Sequence, residues 1–490
     1  MVLLSKSKFL NGIQCPRLLW ASIHKKEMLP EFGISTLNIF KIGNEVGELA
    51  KKLYPEGIDI PTEDFSQNIQ LSKEALTQNK PLFEPAITFE QLYSRADVLV
   101  PIKEEWDIIE VKSATKVKDI NIWDVAFQKY VYEKAGLKIR KCFLMHVNNE
   151  YIRHGELEPE EFFVKQDITE EVEEKLKIVP EKVTEMIGIL NYPELPENVI
   201  GLHCDDPYGC PLKDDCWSFL PEGHVFQLTR GGKKSFELFD NKIYAIKDIP
   251  EEFKLTDKQG IQRDCEINNK IHIHKESIKH FLAELKYPLY YLDFETFNGA
   301  IPLFDGIKPY QQIPFQFSLH IVKEEGAKPE HIEFLYNGNS DPRKEFIKKL
   351  KESLGETGDI ITYNMAFEKG IVSKLAEFLP EYKNWVESTN NRMVDLWIPF
   401  RNFSYYNPKQ KGSGSIKKVL PSLVGGDGYA GMDIADGMTA SIEYFNSHYE
   451  DIDQAKKSKV REDLLKYCGL DTEAMIWIVD KLKEIIRNEH

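Results

Sequence analysis

Apolar residues recur at helical spacing from Thr36 to Tyr54 (TLNIFKIGNEVGELAKKLY) and predict a helix with one buried face. Runs rich in β-branched and aromatic residues follow at PLFEPAITFE, SRADVLVPI and EWDIIEVKSA, and these predict strands. A helix over Ile122 to Ala135 and a strand in RKCFLMHVN complete an αβββαβ order, a three-layer α/β plan. The next stretch is short and charged. Its amphipathic part, FELFDNKIYAIKDIPEEF, predicts a helical connector. Strand patterning resumes at LYYLDFETF and at FQFSLHIV, where Phe315, Phe317, Leu319 and Ile321 alternate with other positions, and again at HIEFLYN. A helix from Pro342 to Leu354, with Asp341 as its expected cap, leads to the strand DIITYN. NPKQKGSGSIKK is Gly/Ser/Lys-rich and is expected to be a mobile loop. Three blocks result: residues 1–220, a connector at 221–285, and residues 286–490. A chain of 490 residues exceeds what one core organises.

Composition narrows the class. Hydrophobic residues make up 42% and charged residues 29%, the balance of a globular protein, and no apolar run reaches the roughly 18 residues of a membrane helix. Lysines interrupt the apolar start of the chain, so no signal peptide is expected, and neither is membrane binding; a cytoplasmic protein is the expectation. The net charge of −16 argues against a protein that coats nucleic acid. It does not exclude a nucleic-acid enzyme, because bound divalent ions reverse the local sign of an acidic site.

Asp97 is expected to close one strand, with Glu110-Val111-Lys112 on the next. Strand residues two apart share a face, so Glu110 and Lys112 point the same way. With Asp97 alongside, two carboxylates can hold Mg²⁺ or Mn²⁺ through hard oxygen ligands, and Lys112 can stabilise charge on a scissile phosphate. Gln128 and Tyr132 stand four apart on one helical face. Further on, YLDFETF puts Asp293 and Glu295 on one strand face, TYNMAFEKG brings Glu368 at the end of a strand, and KYCGLDTEAM brings Tyr467 and Asp471 on one helical face. Four converging carboxylates suit two divalent ions. Asp395 in MVDLWIPF reads as the end of a core strand; Lys417 and Lys418 read either as phosphate contacts or as a solvated helix start. Of the seven cysteines, Cys142, Cys265 and Cys468 stand singly and read as buried, inert thiols. Cys15 stands far ahead of a cluster at Cys204, Cys210 and Cys216. Four thiolates can ligate an iron–sulfur cluster or a zinc ion.

The Asp, Glu-x-Lys and Gln-x3-Tyr pattern resembles the PD-(D/E)XK nucleases, in the RecB-like branch that includes CRISPR-associated exonucleases and AddB-type recombination nucleases. The resemblance implies a restriction-endonuclease-like fold in which Asp97 and Glu110 are metal ligands, Lys112 is catalytic, and Gln128 and Tyr132 support the site. That branch usually offers a His in a Gly-x3-His pattern; GNEVGEL has Gly47 at that spacing, which leaves Glu45 as the candidate replacement. One early and three late cysteines match the same branch's frame, which implies a 4Fe–4S cluster on Cys15, Cys204, Cys210 and Cys216, with zinc as the alternative. The late spacing departs from the usual one, with five residues between Cys204 and Cys210 where two are common. His203 is read as a neighbour of the thiols.

Three strands, a helix and a strand is the order of a ribonuclease-H-like core, and the third block resembles the DEDD exonucleases, in the subgroup with Tyr before the last Asp. That resemblance makes Asp293, Glu295, Glu368 and Asp471 metal ligands and Tyr467 the residue that orients water. Glu368 departs from the usual Asp. The pairing of both domains is similar to uncharacterised bacterial proteins defined by a domain of unknown function. The expectation is an α/β metal-dependent DNA exonuclease with two active sites, in DNA repair or defence against foreign DNA. RNA as substrate and a nucleic-acid-binding scaffold with one decayed site remain the alternatives, and protein partners are unspecified.

Overall fold

The computed structural model describes residues 2–487. The chain forms two compact units, one of residues 1–219 with 299–311, the other of residues 220–298 with 312–490. Both are mixed α/β, and the connector stretch belongs to the second.

The first unit begins with β1 (Leu4–Ser5), α1 (Lys6–Gln14), α2 (Pro16–His24) and α3 (Ile34–Lys51). After β2 (Ile58–Asp59) and α4 (Phe65–Ala75) come β3 (Leu82–Phe83), β4 (Ala86–Phe89), β5 (Leu92–Arg95), β6 (Val98–Ile102) and β7 (Glu105–Lys112). Then α5 (Asp119–Lys134), β8 (Ile139–Val147) and β9 (Phe163–Asp167) follow. The run PLFEPAITFE is therefore two strands and not one. Glu84 takes a left-handed φ of 57° and Pro85 has no N–H to donate, so the chain leaves one sheet and enters another. β1, β5 and β4 form a three-stranded sheet, and the larger sheet runs β2-β3-β6-β7-β8-β9. The larger sheet is covered on both faces. Ile108 and Leu144 pack with Val125 and Phe127 of α5, while Ile109 and Met145 pack with Val46 and Leu49 of α3. Adjacent strand residues face opposite sides, so Glu110 falls on the α5 face with Ile108.

In the second unit, residues 225–249 gather a small core of their own around Val225, Leu228, Leu238 and Ile246. β10 (His272–Ile273) precedes a five-stranded sheet of β11 (Leu289–Phe297), β12 (Ile313–Val322), β13 (Glu330–Leu335), β14 (Asp359–Thr362) and β15 (Met393–Asp395). Its order is β13-β12-β11-β14-β15, antiparallel from β13 to β11 and parallel from β11 to β15. β16 (Tyr405–Tyr406) pairs antiparallel with β10. The helices that bear on the site are α6 (Arg343–Ser353), α7 (Ala366–Phe378), α8 (Ile416–Leu423), α9 (Gly437–Tyr449) and the long α10 (Gln454–Arg487). Leu292 and Phe294 of β11 pack on Phe346 of α6, which leaves Asp293 and Glu295 on the opposite face, towards α10.

Two local expectations change. α6 starts at Arg343 with Pro342 at its cap position, and Asp341 instead accepts hydrogen bonds from the Arg343 backbone and from its buried guanidinium. The stretch NPKQKGSGSIKK is not an open loop. Asn407 and Gln410 cap a short turn reciprocally, Tyr363 Oη donates to Gly414 O at 2.5 Å, and α8 begins at Ile416. No helix among the described residues is long and apolar enough to cross a membrane.

Candidate functional site

In the first unit, Asp97 lies between β5 and β6 and does not close a strand. The antiparallel register Val98↔Ile109 sets it beside Glu110, and its Oδ2 accepts the Val111 N–H at 2.7 Å. Glu110 is fully buried. Its Oε1 lies 2.5 Å from Lys112 Nζ, and its Oε2 accepts from Gln128 Nε2 at 2.7 Å. Tyr132 Oη donates to Pro85 O and accepts the Ala96 N–H at 2.9 Å, so it fixes the backbone next to Asp97 without reaching the carboxylates. Four of the expected residues thus meet, with Tyr132 bracing the backbone beside them.

The sequence reading missed two more. Asp124, one turn before Gln128 on α5, accepts from Lys112 at 3.0 Å and from Gln128 at 2.9 Å. Its signal was present, since Asp124, Gln128 and Tyr132 share one helical face. Lys6, at the start of α1, sits 2.8 Å from Glu110 and 3.7 and 3.9 Å from Asp124 and Asp97. No local pattern announces it, because 104 residues separate it from Glu110. Glu45 is not brought to this group. It is exposed, pairs with Lys41 at 3.9 Å, and the cavity is lined on α3 by Gly43, Asn44, Gly47 and Glu48.

Burial and the Glu110 charge push Asp97 up to about 7. Burial also works against a charged Glu110, yet Lys112 and Lys6 hold it below the usual carboxylate range. Burial alone would lower both lysines, but Asp124, Glu110 and Asp97 keep them charged and raised. The site is a nearly balanced ionic cluster at one wall of a cavity of about 1380 Å³.

The four cysteines of the expected frame come together in the same unit. Cys15 caps α2, Cys204 ends a short turn, Cys210 N–H bonds to Cys204 O at 2.8 Å, and Cys216 lies in the helix Lys213–Trp217. Cys15, Cys210 and Cys216 share an apolar pocket with Leu18, Ala21 and Leu212. Burial pushes the Cys210 thiol up to about 11, and Cys15, Cys204 and Cys216 add to it. All four are free thiols, and among the described residues no three of their sulfurs lie within 4.8 Å of one another. His203 Nε2 is 3.8 Å from Cys204 Sγ.

In the second unit, Asp293 and Glu295 project from β11 towards α10. A ligand atom of each lies within 4.8 Å of the other and of Cys468 Sγ. Cys468 therefore belongs to the site and is not a thiol of the remote core; its Sγ is 3.6 Å from Asp293 Oδ2. Asp471, one turn along α10, accepts a short hydrogen bond from Tyr429. Tyr467 and Tyr429 rings meet edge to face, and Lys417 Nζ lies 5.4 and 5.6 Å from the two centroids. Lys418 is exposed.

Glu368 sits in the first turn of α7, not at a strand end, because β14 stops at Thr362. It is buried, and its Oε2 has no hydrogen-bond partner among the described residues. Asp395 closes β15, where its Oδ1 accepts the N–H groups of Asn364 and Trp397.

Burial pushes all four carboxyls up. For Asp293, Asp471, Glu295 and Glu368 add to the effect; for Glu295, Asp471 does, against Lys417. Glu368 is pushed up to about 8. Asp471 reaches about 6, with Tyr429, Lys417 and Tyr467 restraining the rise. Among the described residues, none of the four is in a salt bridge. Unpaired buried carboxylates are costly, so such a group protonates or takes up a cation.

A family model for a domain of unknown function, DUF2779, matches residues 290–415, which hold Asp293, Glu295, Glu368 and Asp395. The chain is 27% identical over 240 residues to an uncharacterised protein, UU173, of Ureaplasma parvum, covering 45% of this chain and 34% of that one. It is 26% identical over 290 residues to an uncharacterised protein of Mycoplasma pneumoniae, covering 55% and 41%. An uncharacterised protein of Mycoplasma genitalium is 27% identical over 273 residues, covering 52% and 39%. The chain thus spans less than half the length of each of these relatives.

Proposed function

We propose that the protein is a metal-dependent nuclease acting on DNA, with a DEDD-type exonuclease site in the second unit and a RecB-like PD-(D/E)XK site in the first. One observation carries this: Glu295, Glu368 and Asp471 are buried, Asp293 is half-buried within 4.8 Å of Glu295, and none of the four has a salt-bridge partner among the described residues, which fits divalent cations better than any other use of four carboxylates. The sheet order β13-β12-β11-β14-β15 supports a ribonuclease-H-like reading of that unit. Asp293, Glu295, Asp471 and Glu368 would hold Mg²⁺ or Mn²⁺, which when bound activates water and stabilises the leaving oxygen. Tyr467 orients the water, and Lys417 offers a cation to the phosphate.

In the first unit the juxtaposition of Asp97, Glu110 and Lys112 supports the second nuclease site. Lys112 and Lys6 hold positive charge where a phosphodiester would gain negative charge. The four thiols fit a 4Fe–4S cluster that ties Cys15 to the Cys204–Cys216 loop. Tetrahedral zinc with bonds of about 2.3 Å needs sulfurs about 3.8 Å apart, whereas a cubane spreads them further.

The test is purified protein with Mg²⁺ or Mn²⁺ on end-labelled single- and double-stranded DNA and RNA. In a Lys112→Ala background, shortening from 3′ ends should persist, and Asp293→Ala should remove it. Equal shortening with and without Asp293 overturns the assignment of the second site; preference for RNA corrects the substrate.

A further inference from the structure

The interval between Cys204 and Cys210 reads DDPYG, and its tyrosine does not stay with the cysteines. Tyr208 lines the large cavity that Asp97, Glu110 and Lys112 also line. It is 56% exposed, and Lys118 Nζ, at the start of α5, lies 5.7 Å from its ring centroid. Gln14, the residue before Cys15, holds the loop from below, donating to His203 O at 2.9 Å and to Tyr208 O at 2.7 Å. Asp205 is neutralised by Lys213 at 2.7 Å. The ring is thus presented by a loop tied down at both ends.

Other lining residues have the same character. Ile39 and Phe40 of α3 line the cavity and are 62% and 49% exposed, and Phe32 packs edge to face on Phe40. Tyr93 and the cations Lys6, Lys51, Arg95 and Lys112 line the same cavity. Cations can hold the phosphates of any nucleic acid. Exposed aromatic and apolar walls have a use only for bases that are not stacked in a duplex.

We propose that Tyr208 is a stacking residue for a single nucleic-acid strand entering the first site, carried there by the long Cys204–Cys210 interval. The inference rests on the nuclease reading of that site and adds its substrate form. It also links the cysteine centre to strand binding, because the loop that presents the ring runs between two of its four cysteines.

Fluorescence anisotropy of full-length protein with Ca²⁺ and a labelled 20-nucleotide DNA, single-stranded or as a blunt duplex, tests it. Tyr208→Ala should weaken single-strand binding about tenfold, in line with one lost base stack. Duplex binding should stay within about twofold, and Tyr208→Trp should restore single-strand binding. Metal content of the cysteine centre and the circular dichroism spectrum should match the parent, which separates lost stacking from a disturbed loop. Unchanged single-strand affinity in Tyr208→Ala, or equal loss for both forms, overturns the proposal while leaving the nuclease reading in place. A parent protein that binds neither form removes the nuclease reading of the first site, and this inference with it.

Discussion

Lys6 and Cys468 occupy comparable positions in the two sites, each a non-carboxylate group against the acidic cluster, and their chemistry differs. The Lys6 ammonium sits 2.8 Å from Glu110 and bears a permanent charge, so a divalent ion entering beside Glu110 has to displace or share with it. Cys468 is neutral. Burial holds its proton in place, and Asp293, Glu295 and Asp471 reinforce that, so it donates weakly to Asp293. A protonated thiol is a poor ligand for Mg²⁺, which takes oxygen donors. Cys468→Ala should therefore leave Mg²⁺-dependent trimming within about threefold of the parent, measured in the Lys112→Ala background, while Asp293→Ala abolishes it. Loss of trimming in Cys468→Ala by a hundredfold, in a folded protein, would make the thiol a ligand. Tyr467→Phe keeps the ring that packs on Tyr429 and loses one hydroxyl. A hydrogen bond of about 1 kcal/mol predicts about a fivefold slower rate with metal binding retained. A rate equal to the parent's would remove Tyr467 from the water-orienting role.

Elements explain what could and could not be read in advance. Asp293 with Glu295, and Tyr467 with Asp471, were legible because strand and helix periods fix which neighbours share a face. Glu368 was read on the wrong element: β14 ends at Thr362, and Asn364, at a φ of 73°, turns the chain into α7 before the glutamate is reached. The split of PLFEPAITFE and the arrival of Lys6 were not legible, since both depend on which sheet a strand joins. Apolar periodicity carries no record of that choice. Glu45 failed for a related reason: the helix was read correctly, but its rotation, set by Val46, Leu49 and Ala50 packing on β7, turns Glu45 to solvent. The cysteine frame could be read as a set because its members are unusual; its geometry could not. Cys15 caps α2 and Cys216 lies in a five-residue helix, and neither position announces where its sulfur will point. Protein purified without oxygen should be brown, and Cys204→Ala should bleach it. That substitution should lower the melting point of the first unit more than that of the second, as followed by limited proteolysis. Colourless protein with one zinc per chain would replace the cluster by the rival metal.

At the scale of the whole molecule, the buried acids make stability depend on pH in an uncommon direction. Folded Asp471, Asp97 and Glu368 titrate near 6, 7 and 8, and burial raises Asp293 and Glu295 as well. In the unfolded chain these groups titrate near about 4. Between the two ranges the folded chain holds more protons than the unfolded one, so stability falls as pH rises, by about 1.4 kcal/mol per pH unit for each proton. His320 and His448, lowered to about 4 by burial, act the other way, chiefly below their unfolded value of about 6.5 and fading above it. The raised Lys6 and Lys112 stay charged throughout this range, as does the lowered Glu110. Between pH 6.5 and 8.0 the carboxyls therefore dominate, with the lowered histidines fading towards about pH 7.5 and the raised buried thiols adding in the same direction as the carboxyls near pH 8. The melting temperature in EDTA should fall across that interval. With millimolar Mn²⁺ the fall should disappear or reverse, because the carboxylates then exchange protons for the ion and binding to the folded state stabilises it. Glu368→Gln keeps the shape of the side chain and removes one titrating group, so its melting curve in EDTA should be flatter. A melting temperature in EDTA that is level or rises from pH 6.5 to 8.0 would mean that the acids are already paired, and the case for cations in the second unit would go with it.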